Sequence, residues 1–185
     1  MDVAMFERAV QATGKIVAGT SKEDMEKSTP CTEWNVRDLL NHLIGSFETV
    51  AAAAGAEITN AASTDFTATD HVAAYEGAAA KSVKALAAPG ALERTYPMPW
   101  GDTPGEVLLG LMIADTVVHG WDLAKGTGQD ATVDPEMAEA VYGMTSKMMQ
   151  PLGSFPREPA FGPPVEVPDD APVGAKMLAY LGRKP

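Results

Sequence analysis

Residues 107–118, VLLGLMIADTVV, constrain the fold more than any other stretch. They are apolar almost all round a helix and carry one ionisable residue, Asp115. A helix with no polar face belongs at the centre of a fold rather than on its surface. A carboxylate inside it is costly unless it is paired or faces a cation. His119 follows one turn later, and i,i+4 spacing sets both side chains on one face.

The rest of the chain supplies helices to surround that centre. Residues 2–19 place Val3, Phe6, Val10, Thr13, Ile16 and Val17 on one face. Residues 20–34 are polar, contain Pro30 and read as a loop. Asn35 is a good N-cap for a second helix, and Asp38 suits its positive N-terminal end. Val36, Leu39, Leu40, Leu43, Ile44, Phe47 and Val50 form its stripe, with a stop near Gly55. After a small-residue loop over 56–69, a third helix is predicted over 70–88, with Pro89 and Gly90 ending it. The proline- and aromatic-containing stretch 91–102 reads as an extended connection. Thr103, Pro104 and Glu106 then predict a capping box opening the fourth helix. That helix should run to Lys125 and stop at Gly126. Gly126 and Gly128 follow a helix, so they read as a C-cap and not a phosphate loop. A fifth helix starts at Asp134 and Pro135, carries Met137, Val141, Met144 and Met148 toward the core, and ends before Pro151. Residues 151–172 are proline-rich and should wrap the surface. Residues 175–181 suit a short last helix. No period-2 run marks a strand, and no repeat or linker divides the chain. The expectation is a single all-α domain over 1–185, an antiparallel helical bundle.

Charge and cysteine content narrow the function. Formal net charge is −11, from 25 acidic and 14 basic residues, which disfavours binding to nucleic acid or to an anionic membrane. The opening MDVAMFERAV has neither the basic nor the apolar region of a secretory leader, so a cytoplasmic protein is expected. A lone cysteine, Cys31, excludes an internal disulfide and a cysteine-based zinc site.

Asp115 and His119 together have the geometry of half a metal site. A third ligand must come from another helix, and His42 lies on the border of the second helix's apolar stripe, with small Ser46 one turn on. Two imidazoles and a carboxylate form the triad that holds a divalent ion with open positions. The same residues also suit a structural hydrogen bond between helices, or a metal-free catalytic dyad. Of the other notable residues, His71 reads as exposed or as a cap contact, and Cys31 as a small buried side chain rather than a nucleophile. Asp38 serves its helix N-terminus or orients His42. Trp34 and Trp121 read as packing residues that could also wall a pocket, joined by Met98 or Trp100. Met144, Met148 and Met149 read as core. Asp122 suits a cap or a salt bridge, with no role assigned. No GxSxG, P-loop or dinucleotide fingerprint is present.

The blocks STPCTEWNVRDLLNHLIG, ADTVVHGWDLAKGTGQD and FGPPVEVPDDAPVGAKMLAYLGRKP resemble the actinobacterial DinB-like metal-binding proteins. These are similar to the metal-binding N-terminal domain of mycothiol-dependent maleylpyruvate isomerase. The resemblance spans nearly the whole chain. It implies a DinB-like four-helix bundle with additional helical elements. It also implies a divalent metal (zinc, nickel or iron) held by His42, Asp115 and His119. Finally, it implies thiol chemistry, with mycothiol as cosubstrate and the metal activating a thiolate toward an electrophile. Isomerisation of maleylpyruvate itself is not expected, because the isomerase's site needs a further C-terminal domain. The expected activity is therefore a thiol S-transferase or thiol-dependent isomerase acting on a small electrophile. The alternative is a non-catalytic metal- or small-molecule-binding stress-response protein. A homodimer is the expected assembly, without nucleic-acid or membrane partners.

Overall fold

The computed structural model describes residues 1–57, 64–149 and 161–185. Part of the expected 56–69 loop and much of the proline-rich 151–172 stretch lie outside the described residues. Among those described, the fold is mostly α, with six α-helices and one two-stranded sheet. They form two compact units, Met1–Ala131 and Thr132–Pro185.

The first unit contains α1 (Val3–Ala18), a 3-10 turn (Lys22–Asp24), α2 (Val36–Ala53), α3 (His71–Leu86), β1 (Thr95–Met98), β2 (Gly101–Pro104) and α4 (Gly105–Thr127). α1, α2 and α3 each begin where a local acceptor meets free backbone N–H groups. Asp2 accepts from the Met5 amide and Asp70 from those of Val72 and Ala73. Asn35 and Asp38 form a reciprocal capping box at the head of α2. Helices α1 and α2 each pack against both α3 and α4. The shared interior holds Phe6, Val17, Leu39, Leu43, Phe47, Tyr75, Leu109 and Ile113, all essentially free of solvent.

α4 occupies the central place its composition demands. It is long and apolar enough to span a membrane, yet most of it is buried against its neighbours. Burying Leu108, Leu109, Ile113 and Leu123 contributes about 1.5–3 kcal/mol each. Together they outweigh the several kcal/mol that desolvating one carboxylate costs. α4 meets α1 at a close crossing, where a Cβ on Gly120 would lie 2.4 Å from Thr13 Oγ1. That hydroxyl donates to the Thr116 carbonyl at 3.0 Å.

Residues 95–104 correct the sequence reading. They form an antiparallel hairpin, with Tyr96 opposite Thr103 and Met98 opposite Gly101. A two-stranded ribbon has only edges, so Pro97 and Pro104 withdraw donors the sheet does not need. Thr103 does not cap α4. Its hydroxyl donates to the Gly101 carbonyl and accepts from the Trp100 indole, and Pro104 takes the cap position without a side-chain bond. The helix also runs past Gly126 and ends at Thr127, where Gly128 turns left-handed at φ +75°.

The second unit holds α5 (Pro135–Met148) and α6 (Val173–Tyr180), packed on each other with Tyr142 edge-on to Tyr180. α5 starts as expected, with Asp134 accepting from Met137 N. Its buried residues are Met137, Ala138, Val141 and Thr145, whereas Met144, Met148 and Met149 are only half-buried.

Candidate metal centre

α2 and α4 cross so that the first two turns of α2 face the middle of α4. This crossing brings His42 to Asp115, with its Nε2 3.0 Å from Asp115 Oδ1. His119 Nε2 lies 3.4 Å from the same oxygen. The two imidazole rings meet edge to face, 4.8 Å between centroids. One ligand-type atom from each of His42, Asp115 and His119 falls within 4.8 Å of the others. The side chains are 31%, 24% and 12% exposed, so the cluster lies under the surface but within reach of solvent.

Asp115 Oδ2 is buried and, among the described residues, has no hydrogen-bond partner. Such an atom forfeits its hydration without replacement unless a cation approaches it. Burial alone would raise the Asp115 pKa, but His42 and His119 outweigh it and hold the carboxyl below its ordinary value, with Ser46 adding to the effect. Burial opposes charge on His42 as well; there Asp115 prevails and raises the imidazole pKa. The small Ser46 one turn on from His42 thus borders the carboxylate, as the spacing suggested.

On the far side of His119 lies a second polar cluster that sequence reasoning missed. His119 Nδ1 is 3.1 Å from Asp122 Oδ2. The Cys31 thiol donates to that oxygen at 3.5 Å and sits 3.9 Å from His119 Nδ1. Asp122 is completely buried. Its signal in the sequence was present but unused: i,i+3 from His119 places it beside the same ring. Cys31 is half-buried beside polar atoms rather than fully buried as expected. Its place is set by the turn before α2, where Thr29 Oγ1 donates to the Trp34 carbonyl and Ser28 bridges Asn35.

Trp34 covers both histidines, with ring centroids 4.6 Å from His42 and 5.6 Å from His119. The other expected lining residues lie differently. Trp121 is buried with the Lys125 ammonium over its ring, Met98 is buried in the hairpin, and Trp100 is exposed at the hairpin turn. Asp38 is committed to the α2 capping box and is exposed. His71 is buried, contrary to expectation, and donates from Nε2 to the Thr20 carbonyl, a structural bond tying α3 to the end of α1.

Comparison with known proteins bears on this arrangement. The family model described as the mycothiol maleylpyruvate isomerase N-terminal domain matches residues 6–124, a span that holds every member of both clusters. An uncharacterized protein of Mycobacterium tuberculosis, strain CDC 1551 / Oshkosh, is 34% identical over 184 residues, covering 99% of this chain and 98% of that protein. An uncharacterized protein of strain ATCC 25618 / H37Rv matches with the same identity and coverage. No solved structure matches the chain at a significant level.

Proposed function

This chain belongs to the mycothiol maleylpyruvate isomerase N-terminal domain family, and on that premise we propose that it binds a divalent metal and uses a low-molecular-weight thiol of the mycothiol type. His42, Asp115 and His119 would hold the ion. The supporting observation is the convergence of both imidazoles on Asp115 Oδ1, while Oδ2 of the same carboxylate is buried with no hydrogen-bond partner among the described residues. Two imidazoles and one carboxylate suit zinc, nickel or iron(II) and leave coordination positions for other ligands. The α1–α4 packing suits a DinB-like four-helix bundle, the scaffold that supplies such ligands from facing helices.

When bound, the ion supplies the Lewis acidity that lowers the pKa of a coordinated thiol. The protein's own residues supply placement. Asp115 contributes the one negative charge of the ligand set, so a divalent ion there keeps a net positive charge that favours an anionic sulfur. Trp34 shields the two imidazoles from bulk water and restricts their rotation. Among the three ligand residues, none is left over to act as a general base. Activation of the thiol would therefore carry the chemistry, and the reaction class is S-transfer to a small electrophile or thiol-assisted isomerisation, in the cytoplasm, where such thiols are reduced.

Elemental analysis of the purified protein beside His119→Ala tests the ion. About one zinc, nickel or iron per chain, lost in the variant, is the expected result. Visible spectra of the cobalt-substituted protein test the thiol. A band shift on adding millimolar thiol is expected, and its absence would leave a metal-binding protein without thiol chemistry.

A further inference from the structure

His119 stands between two clusters, and its two nitrogens face different partners. Nε2 faces Asp115 and the His42 side, whereas Nδ1 faces Asp122 and Cys31. A neutral imidazole has one lone pair and one N–H, so it can serve a cation on one side only. The tautomer decides which.

We propose that Asp122 is a positioning residue that holds the Nδ1–H tautomer of His119 and so commits the Nε2 lone pair to the ion at His42 and Asp115. This rests on the metal reading above and adds to it the residue that selects between the clusters. A carboxylate can only accept, so the 3.1 Å contact requires the proton on Nδ1. Asp122 has no solvent-exposed side-chain surface, so water does not compete for that bond. Its position i,i+3 from His119 on the same rigid helix fixes the ring's rotation as well as its proton. With Nδ1 protonated, Nε2 and Asp115 Oδ1 are two acceptors 3.4 Å apart. That arrangement repels unless a proton or metal ion lies between them, so the tautomer selects for a cation at this side of the ring.

The alternative cluster has the composition of a cation site in its own right. Ligand-type atoms of Cys31, His119 and Asp122 also lie within 4.8 Å of one another. Occupying it would require Nδ1 to lose its proton and Asp122 to turn from acceptor to ligand. The buried hydrogen bond therefore closes the thiol side while it opens the carboxylate side. Cys31, which donates to the same Asp122 oxygen, helps to hold that carboxylate in place.

Zinc affinity by chelator competition, together with long-range proton–nitrogen NMR of His119 in the zinc-loaded protein, tests the assignment. Wild type is expected to show a protonated Nδ1 and a zinc-coordinated Nε2. Asp122→Ala should lose about 10–100-fold in zinc affinity, the usual penalty for removing a partner that orients a ligand. Asp122→Asn keeps an acceptor of the same shape and should retain the Nδ1–H signal with a smaller loss; it serves if the alanine variant does not fold. Cys31→Ser should bind zinc as wild type does. Equal affinity in wild type and both Asp122 variants would overturn the positioning role while leaving the metal site standing. A loss in Cys31→Ser as large as in Asp122→Ala would place the ion in the other cluster and overturn it too. No zinc binding by wild type would sink the metal reading itself, and the proposal with it.

Discussion

Asp115 and Asp122 are two turns apart on one helix, flank the same histidine, and live in opposite conditions. Asp122 is fully enclosed, and its Oδ2 faces two donor groups, the His119 ring and the Cys31 thiol. Asp115 is partly open, has one oxygen facing two imidazoles, and has the other buried without a hydrogen-bond partner among the described residues. The first arrangement is finished as it stands. The second leaves an unmet electrostatic demand inside a helix that is otherwise apolar. Structural polar groups are satisfied, because leaving them unsatisfied costs stability. Unsatisfied ones mark places where stability has been given up, which is common where a ligand will later bind.

The sharpest way to break this comparison is to add metal. At a free zinc concentration about 100-fold above Kd, binding should stabilise the wild-type fold by about 2.7 kcal/mol. For a chain of this size that corresponds to roughly 5–10 °C in Tm, read by differential scanning calorimetry. Asp115→Asn should show no zinc-dependent rise. A rise as large as wild type's would remove Asp115 from the ligand set.

Without metal the ranking of the two residues should reverse. Asp122→Ala leaves the His119 Nδ1–H and the Cys31 thiol facing a void, so it should cost about 1–3 kcal/mol in urea unfolding of the apo protein. Asp115→Asn should cost little near pH 8, since it exchanges a poorly satisfied carboxylate for a neutral amide. Equal losses from the two variants would erase the distinction between a structural and a functional carboxylate.

Gly120, which sits between them in sequence on the α1-facing side, tests whether α4 is rigidly placed. Its missing Cβ leaves room for Thr13. Gly120→Ala should therefore cost about 1–3 kcal/mol from overpacking. Thr13→Ala in the same chain should recover part of that loss.

The smallest expected effect is a pH dependence. His42 has its pKa raised above 6.5, and Asp115 has its lowered below 3.8. A raised histidine contributes stability below its unfolded pKa and loses it as pH climbs through the folded one. A lowered carboxyl contributes above its unfolded pKa and loses it as pH falls through the folded one. The apo pair is therefore most stabilising between these two ordinary values and fades on either side, as pH falls through the folded Asp115 pKa or climbs through the folded His42 pKa. The Tm difference between wild type and Asp115→Asn should favour wild type near pH 5.5 and shrink toward pH 8. A difference independent of pH would mean that the pair does not titrate as a unit.

Much of the helical framework was legible because its signals are local. The Asn35–Asp38 capping box, the Pro89–Gly90 stop and the Asp134 cap act within a few residues, and each appears where expected. The hairpin over residues 95–104 was not legible. Its strands are too short for period 2 to show, and Thr103 has equally plausible partners on either side. The hydroxyl that should have capped α4 bonds to Trp100 and Gly101 once the chain turns back on itself. Two of the readings around the site failed for a related reason. His71 and Cys31 each have a short-range and a long-range set of possible partners, and sequence spacing ranks only the first, whereas Asp38 takes the local role its place at the head of α2 suggested.

By itself, then, the sequence determined that α4 must be central and that Asp115 and His119 share a face, and it offered His42 as a candidate third ligand. Helical periodicity and the cost of burying charge are enough for that, since both depend on residues within a turn or two. Only the tertiary structure decided that His42 reaches Asp115 and that Cys31 joins Asp122 beside His119. Cys31 lies 91 residues from Asp122 and 88 from His119. No local rule connects groups so far apart, and it is the crossing of α2 with α4, set by the packing of the whole apolar interior, that brings them together.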